Sequence, residues 1–149
     1  MDQTDQHILT ILQQQGRISM TDLGKQVGLT QPAVAERVRR LEDKGILTGY
    51  RAAVSPAAIG KTISAYLLFH TKSCDDFIAF CSRSADVMEC HRISGQYNYL
   101  LKVTTESMHS LEAFINASSK YGDSSTMIVM SSPIEHNLLI PQLLEAGGK

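Results

Sequence analysis

No apolar run in this chain approaches the ~20 residues that a membrane-spanning helix requires, so no membrane partner is expected. The first residues, Met1-Asp2-Gln3-Thr4-Asp5, carry neither a basic nor an apolar stretch. A secretory signal is therefore not expected, and the cytoplasm is the expected compartment. Cysteine is scarce. Cys74, Cys81 and Cys90 are odd in number and lack the spacing of a zinc site or a redox motif, which points to small buried thiols in a reducing compartment. There is no glycine-rich phosphate loop and no metal-ligand spacing, so no cofactor is expected. His70, His91, His109 and His136 are scattered. Cys90 and His91 are neighbours on a strand and so point to opposite faces, which is wrong for a Cys–His pair. Nothing here marks an enzyme.

Strong net charge is also missing. The sum is −1 over 149 residues, with a hydrophobic share of 43% and a charged share of 19%, as in folded globular proteins. The distribution is uneven. Met1 to Lys61 holds eight Lys/Arg against six Asp/Glu, and Thr62 to Lys149 holds six against nine. Whole-domain charge therefore says little about nucleic acid, and local clustering has to carry that argument.

What is present is a pair of short helical segments between Arg17 and Tyr50. The first runs from about Thr21 to Val27 and the second from about Gln31 to Lys44. Ser19 can cap the first, with Asp22 three residues on to answer it. Gly28 can end it in the left-handed conformation. Thr30 can cap the second, with Pro32 in its first turn. Two capped helices joined by Val27-Gly28-Leu29-Thr30 fit a helix-turn-helix, whose second helix enters the DNA major groove.

Another helix precedes the pair, from about Thr4 to Gln15, with Ile8, Leu9, Ile11 and Leu12 as its apolar stripe and Asp2 or Thr4 as cap. After the pair, Gly45-Ile46-Leu47 returns apolar residues to the core, and Thr48 to Val54 reads as extended, a small wing. The expected division is a helix-turn-helix domain over 1–54, a linker over 55–62 and a second domain over 63–149. In that second domain Ile63–Thr71 reads as a strand, Cys74–Ser84 as a helix and Val87–Ser94 as a strand. Tyr97–Thr104 reads as a strand, Ser107–Lys120 as a helix and Thr126–Ser132 as a strand. The order βαββαβ is the ferredoxin-like arrangement, and the whole is an α+β chain. The tail after Pro133 reads as loosely packed, and Gly147-Gly148-Lys149 as disordered.

Two helices cover only one face of four strands, yet the strands read as apolar on both. Ala65, Leu67 and Phe69 alternate with Tyr66 and Leu68. Tyr97, Tyr99, Leu101 and Val103 alternate with Leu100. Met127 and Val129 alternate with Ile128 and Met130. The second face is expected to meet another copy of the chain, giving a homodimer that presents two helix-turn-helix units together.

In the putting-together of the DNA site, Val34, Val38 and Leu41 face the core. Gln31, Ala33 and Ala35 are left at the end of the recognition helix that meets base edges, where Gln reads adenine and Ala touches a thymine methyl. Arg37, Arg39 and Arg40 suit phosphates. A solvated face with a Glu36–Arg40 pair is the plainer alternative. The turn Ser94-Gly95-Gln96-Tyr97-Asn98-Tyr99 puts backbone amides and polar side chains at a sheet end. It is a candidate small-molecule site, with a simple hairpin as the alternative.

These residues together resemble the Lrp/AsnC, or feast/famine, family of transcription regulators. The resemblance lies in Asp5 with Ile8-Leu9, Gly16-Arg17-Ile18-Ser19, Leu23 and Val27-Gly28-Leu29. It continues through Val34, Glu36-Arg37-Val38-Arg39-Arg40-Leu41-Glu42, Gly45-Ile46 and Gly49-Tyr50. In the second half it lies in Glu89-Cys90-His91, Ser94-Gly95 and Tyr97-Asn98-Tyr99-Leu100-Leu101-Lys102-Val103. It implies a cytoplasmic, nucleoid-associated regulator that binds double-stranded DNA. The DNA residues would be Ser19, Thr30, Gln31, Ala33, Ala35, Glu36, Arg37, Arg39 and Arg40. It also implies homodimers, assembled in some relatives into octamers that wrap or bend DNA, and an amino-acid effector near Ser94, Gly95, Gln96, Tyr97 and Asn98. Many relatives carry acidic residues where Gln96 and Asn98 stand, and neutral amides hold an ammonium less strongly. Tyr121-Gly122-Asp123-Ser124 likewise lacks the Pro-Gly-Val common before the last strand. An architectural DNA binder without an effector is the second expectation. A metabolic enzyme or pure ligand-binding protein on the ferredoxin-like domain is the third.

Overall fold

The computed structural model describes residues 1–140. The chain forms two compact units. One holds residues 1–53 with residues 134–140, and the other spans Val54–Pro133. The expected division put everything after residue 63 with the sheet. Here residues 134–140 group with the helices instead, because the Gln13 side-chain amide donates to the Leu139 carbonyl (3.0 Å) and accepts from the Leu139 N–H (2.9 Å). The tail end at Gly147-Gly148-Lys149 lies outside the described residues.

The helical unit contains α1 (Gln3–Gln14), α2 (Met20–Val27) and α3 (Gln31–Asp43). Asp2 caps α1 in a reciprocal capping box with Asp5, which satisfies two of the backbone N–H groups that a helix start leaves free. Ser19 caps α2, and Gly28 ends it in the left-handed conformation, as the sequence predicts. Thr30 occupies the N-cap position of α3, but its hydroxyl makes no capping bond, contrary to expectation. Ile8, Leu9, Ile11, Leu12, Leu23, Val34, Val38 and Leu41 form one buried core. Leu47 packs on it, whereas Ile46 stays 44% exposed. The expected wing is not a strand: residues 48–55 carry no ladder. Among the described residues the helical unit offers this segment no second strand, and it is held by the Tyr50 hydroxyl donating to Glu42 (2.9 Å).

The second unit contains β1 (Ile63–Thr71), α4 (Cys74–Arg83), β2 (Val87–Arg92), β3 (Tyr99–Thr105), α5 (Met108–Ser118) and β4 (Gly122–Ile128). Its antiparallel sheet has the order β2-β3-β1-β4, so the predicted ferredoxin-like arrangement is present. Residues 55–62 pack with this unit rather than standing as a separate linker, and the Lys61 ammonium donates to Asp86 (2.7 Å), to the Ala85 carbonyl and to the Thr104 carbonyl. Ala65, Leu67, Phe69, Phe77, Cys81, Tyr99, Leu101, Val103, Leu111 and Phe114 make its core.

The reading of the last strand changes most. The last strand starts four residues earlier than expected, at Gly122, and ends at Ile128. A side chain at position 122 would collide with the His70 carbonyl, so glycine allows β4 to close against the end of β1 there. Asp123, Ser124 and Ser125 then pair with His70, Phe69 and Leu68, although their polarity reads as loop. Met130 falls beyond the strand and is 91% exposed.

The second sheet face is also less apolar than expected. Cross-strand partners share a face. Opposite the helices the register therefore gathers Tyr66, Leu68, Leu100 and Met127 with Glu89, His91, Lys102 and Ser125. Glu89 ties the polar part together, 3.1 Å from His91 and 3.7 Å from Lys102. Of the cysteines, Cys81 is buried and Cys74 half-buried, but Cys90 is exposed on the edge strand β2. No helix among the described residues is long and apolar enough to cross a membrane.

Candidate nucleic-acid interface and effector turn

Close packing of α2 against the start of α3 makes the helix-turn-helix. A side chain on Gly24 would lie 2.7 Å from the Leu29 carbonyl oxygen, and the Leu29 N–H donates to the Gly24 carbonyl (2.8 Å). The turn can approach α2 this closely only over a glycine. Val34, Val38 and Leu41 then anchor α3 to the core, as their spacing predicts. Gln31, Ala33, Glu36, Arg39 and Arg40 are exposed, and Ala35 and Arg37 are half-buried.

The three arginines are in different circumstances. Arg37 reaches back to the start of α1, with Asp2 at 2.7 Å and Asp5 at 2.8 Å, and only 26% of its side chain is exposed. The hydrogen bond from Arg37 holds the Asp2 carboxyl below the usual carboxylate range. Arg39 forks onto Glu36 (3.0 and 2.8 Å) and also donates to Asp43 (2.8 Å). Arg40 stands 3.7 Å from Glu36 with 58% of its side chain exposed. The expected Glu36–Arg40 pair is therefore the longer one, and Arg39 holds Glu36. Ser19 accepts from the Asp22 N–H (3.0 Å) and gives its own hydroxyl to Asp22 (2.7 Å). The Thr30 hydroxyl has no protein partner among the described residues.

Cations outside the predicted set stand nearby in the same unit. Lys44 lines a hollow of about 320 Å³ with Asp2, Asp5, Arg37 and Arg40. Arg17 and Arg51 line another, of about 620 Å³. All three are exposed and have no ion-pair partner among the described residues. Arg17 and Arg51 lie outside the recognition helix, so helical periodicity could not have pointed to them.

In the second unit the turn is longer than expected. β2 stops at Arg92 and β3 begins at Tyr99, so residues 93–98 connect them. Ser94, Gly95 and Gln96 are exposed, while Tyr97 and Asn98 are half-buried. Asn98 donates its side-chain N–H to the Thr71 carbonyl (2.7 Å) and accepts from the Thr71 N–H (3.0 Å). Its backbone N–H donates to the Phe69 carbonyl (3.0 Å), and its carbonyl accepts from Ile93 (3.0 Å). Both ends of the Asn98 amide are thus engaged within the fold. His70 is 3.1 Å from the Gln96 carbonyl through Nδ1. A carbonyl only accepts, so Nδ1 carries the proton.

A helix-turn-helix followed by a ferredoxin-like domain with an open turn defines a two-domain transcription regulator. Residues 1–42 match the AsnC-type helix-turn-helix domain and residues 64–139 the Lrp/AsnC ligand binding domain. The chain belongs to the Lrp/AsnC family and is a DNA-binding regulator rather than an enzyme. It is 48% identical to the HTH-type transcriptional regulator YezC of Bacillus subtilis, over 91% of this chain and 98% of that one. The structure of Bacillus subtilis LrpC superposes with a TM-score of 0.85 at 33% identity, covering 89% of this chain and 96% of that one. A Neisseria meningitidis transcriptional regulator solved as a complex with L-methionine gives 0.87 at 26% identity, covering 93% and 96%.

Proposed function

We propose that this regulator binds operator DNA as a homodimer, with α3 in the major groove, and that an amino acid held near Ser94–Asn98 biases its assembly or DNA geometry. The carrying observation is the character of α3. Its core residues are buried, its N-terminal end presents Gln31, Ala33 and Ala35, and the Thr30 hydroxyl is free for a phosphate or a base. Arg39 and Arg40 remain exposed at its flank, so either can turn from Glu36 to DNA. Arg37 is engaged with α1, so its part is to hold α3 in place. Ser19, Glu36 and the other polar groups of the site complete the surface around them.

Self-association is supported by the half-exposed apolar centre of the free sheet face, Tyr66, Leu68, Leu100 and Met127. Leu68→Glu is expected to give a monomer by analytical ultracentrifugation while leaving the helical unit folded. Growth to an octamer would appear in the wild-type sedimentation profile. The effector is supported by the likeness to the Neisseria regulator, whose complex contains L-methionine. An effector shifts a conformational equilibrium only by binding one state more tightly. Thermal-shift measurement with each of the twenty amino acids tests this, and no shift with any of them would remove the effector. Asn98, fully engaged with Thr71, favours a second reading: an architectural protein that bends or wraps DNA without an effector. The same screen decides between the two. A cytoplasmic, nucleoid-associated location follows from either reading.

A further inference from the structure

The Cys81 and Cys90 thiols face each other across the junction of α4 and β2. Cys90 pairs with Leu101, which is buried in the core, so its side chain leaves the helix-covered face of the sheet. That is not the face assigned above to self-association. β2 is an edge strand, and α4 packs against it. Cys81 lies in the last turn of α4, only 4% exposed, among the core residues that meet the sheet. The Cys81 S–H donates a hydrogen bond to the Cys90 sulfur. Cys74, seven residues earlier on the same face of α4, is about 10 Å away along the helix. It is hydrogen-bonded to the Tyr99 hydroxyl instead. Tyr99 pairs with Arg92, two residues past Cys90, so the two contacts follow one another as α4 runs along β2.

The two thiols suit the two steps of a thiol oxidation. Cys90 is exposed, so an oxidant in solvent reaches it, whereas buried Cys81 is reached through Cys90. Burial raises both thiols and pushes Cys81 to about 12. The hydrogen bond from Cys81 pulls Cys90 back down, so Cys90 is the first to become the reactive thiolate.

We propose that Cys90 and Cys81 form a dithiol that hydrogen peroxide oxidises to a disulfide, stapling the edge strand β2 to α4. The Cys90 thiolate attacks one oxygen of the peroxide. The O–O bond breaks, Cys90 becomes a sulfenic acid, and the other oxygen leaves as hydroxide, which takes up the proton that Cys90 released. Cys81 Sγ then attacks the Cys90 sulfur. The S–O bond breaks, and the hydroxyl leaves as water with the Cys81 proton. The two thiols lose two electrons in all, and the peroxide is reduced to two waters. A thiol reductant restores both thiols by exchange. In a reducing compartment such a disulfide is transient and reports oxidation rather than holding the fold. Eight residues separate the two cysteines along the chain, a spacing that marks no redox motif. Only the packing of α4 on β2 brings them together.

The test uses the full-length reduced protein, treated with hydrogen peroxide, blocked with N-ethylmaleimide, digested with trypsin and analysed by mass spectrometry. Cleavage after Lys72, Arg83 and Arg92 puts Cys81 and Cys90 on separate peptides. The expected product is residues 73–83 joined to residues 84–92, and dithiothreitol should separate them. Cys74→Ser should give the same joined pair. Cys90→Ser should give none and leave Cys81 as a free thiol. Cys81→Ala should leave Cys90 as a sulfenic acid that dimedone traps. The oxidised wild type should melt roughly 5 °C above the reduced protein, with no such shift in Cys90→Ser. Cys90 is exposed, so Cys90→Ser is expected to fold and keeps the test decisive even where Cys81→Ala does not fold. No joined pair in the folded wild type overturns the proposal, as does a pair that forms only in urea. A joined pair that Cys74→Ser removes overturns it too. So does a link between two chains that Cys90→Ser removes and Cys81→Ala leaves. An unchanged melting temperature after complete oxidation would overturn the staple.

Discussion

Asn98 pairs with Thr71 through both atoms of its side-chain amide, the N–H at 2.7 Å from the Thr71 carbonyl and the oxygen at 3.0 Å from the Thr71 N–H. The amide takes the place of one more backbone pair at the mouth of β1 and β3, and it fixes the root of the effector turn. Asn98→Ala leaves a half-buried N–H and carbonyl without protein partners. The expected loss is about 1–3 kcal/mol, read from urea unfolding followed by circular dichroism. Amide hydrogen exchange at Thr71 should accelerate with it.

Arg37 and Arg40 should separate in their effects on DNA binding. Arg37 holds Asp2 and Asp5, so Arg37→Gln is expected to lower stability by about 1–2 kcal/mol, mainly through loss of the charge-assisted bond to the half-buried Asp5. It should leave the salt dependence of DNA binding unchanged. Arg40 is exposed, and Arg40→Gln should leave stability close to wild type and reduce the salt slope by about one phosphate contact. Fluorescence anisotropy with an operator fragment from 50 to about 200 mM salt distinguishes them. A slope change for Arg37→Gln would put that residue on the DNA.

Acid should loosen the start of α1. The bond from Arg37 depresses the Asp2 carboxyl in the folded state, so its stabilisation is fully present above the unfolded value near about 4. That stabilisation is lost as pH falls through the depressed folded value. Asp2→Asn lacks it at every pH. The difference in melting temperature between wild type and Asp2→Asn should therefore be largest near neutrality and shrink as pH falls below about 4. A constant difference from pH 6 to pH 3 would contradict the linkage. Asp2 is exposed, so the effect is small and is best read as a difference between the two proteins.

Gly24 carries the geometry of the helix-turn-helix. Gly24→Ala drives a methyl toward the Leu29 carbonyl, 2.7 Å away, and either the turn or α2 must move. The expected cost is about 1–3 kcal/mol, with weaker operator binding even where the protein remains folded. Thermal melts and anisotropy together measure it.

The local rules were readable without a structure. Ile8 to Leu12 and Val34, Val38 and Leu41 repeat at helical spacing, and their helices form where expected. Asp2, Ser19 and Gly28 act within a few residues of themselves, so their capping roles were visible too. The strand order βαββαβ followed from alternation and from the turns between. The misreadings have a common cause. A wing needs a second strand, and whether the helical unit provides one is not written in Thr48 to Val54. Asp123-Ser124-Ser125 looks like a loop by polarity, yet it is paired because Gly122 lets β4 reach the end of β1.

By itself the sequence determined the elements, their order and the family, because caps, periodicity and motif spacing act over a few residues along the chain. The tertiary structure alone decided which groups remain available. Arg37 meets Asp2 and Asp5 across more than thirty residues, Asn98 meets Thr71 across 27, and the register sets Asp123 opposite His70. Such pairings depend on how separate elements pack and on which polar groups they satisfy, and no local pattern encodes that.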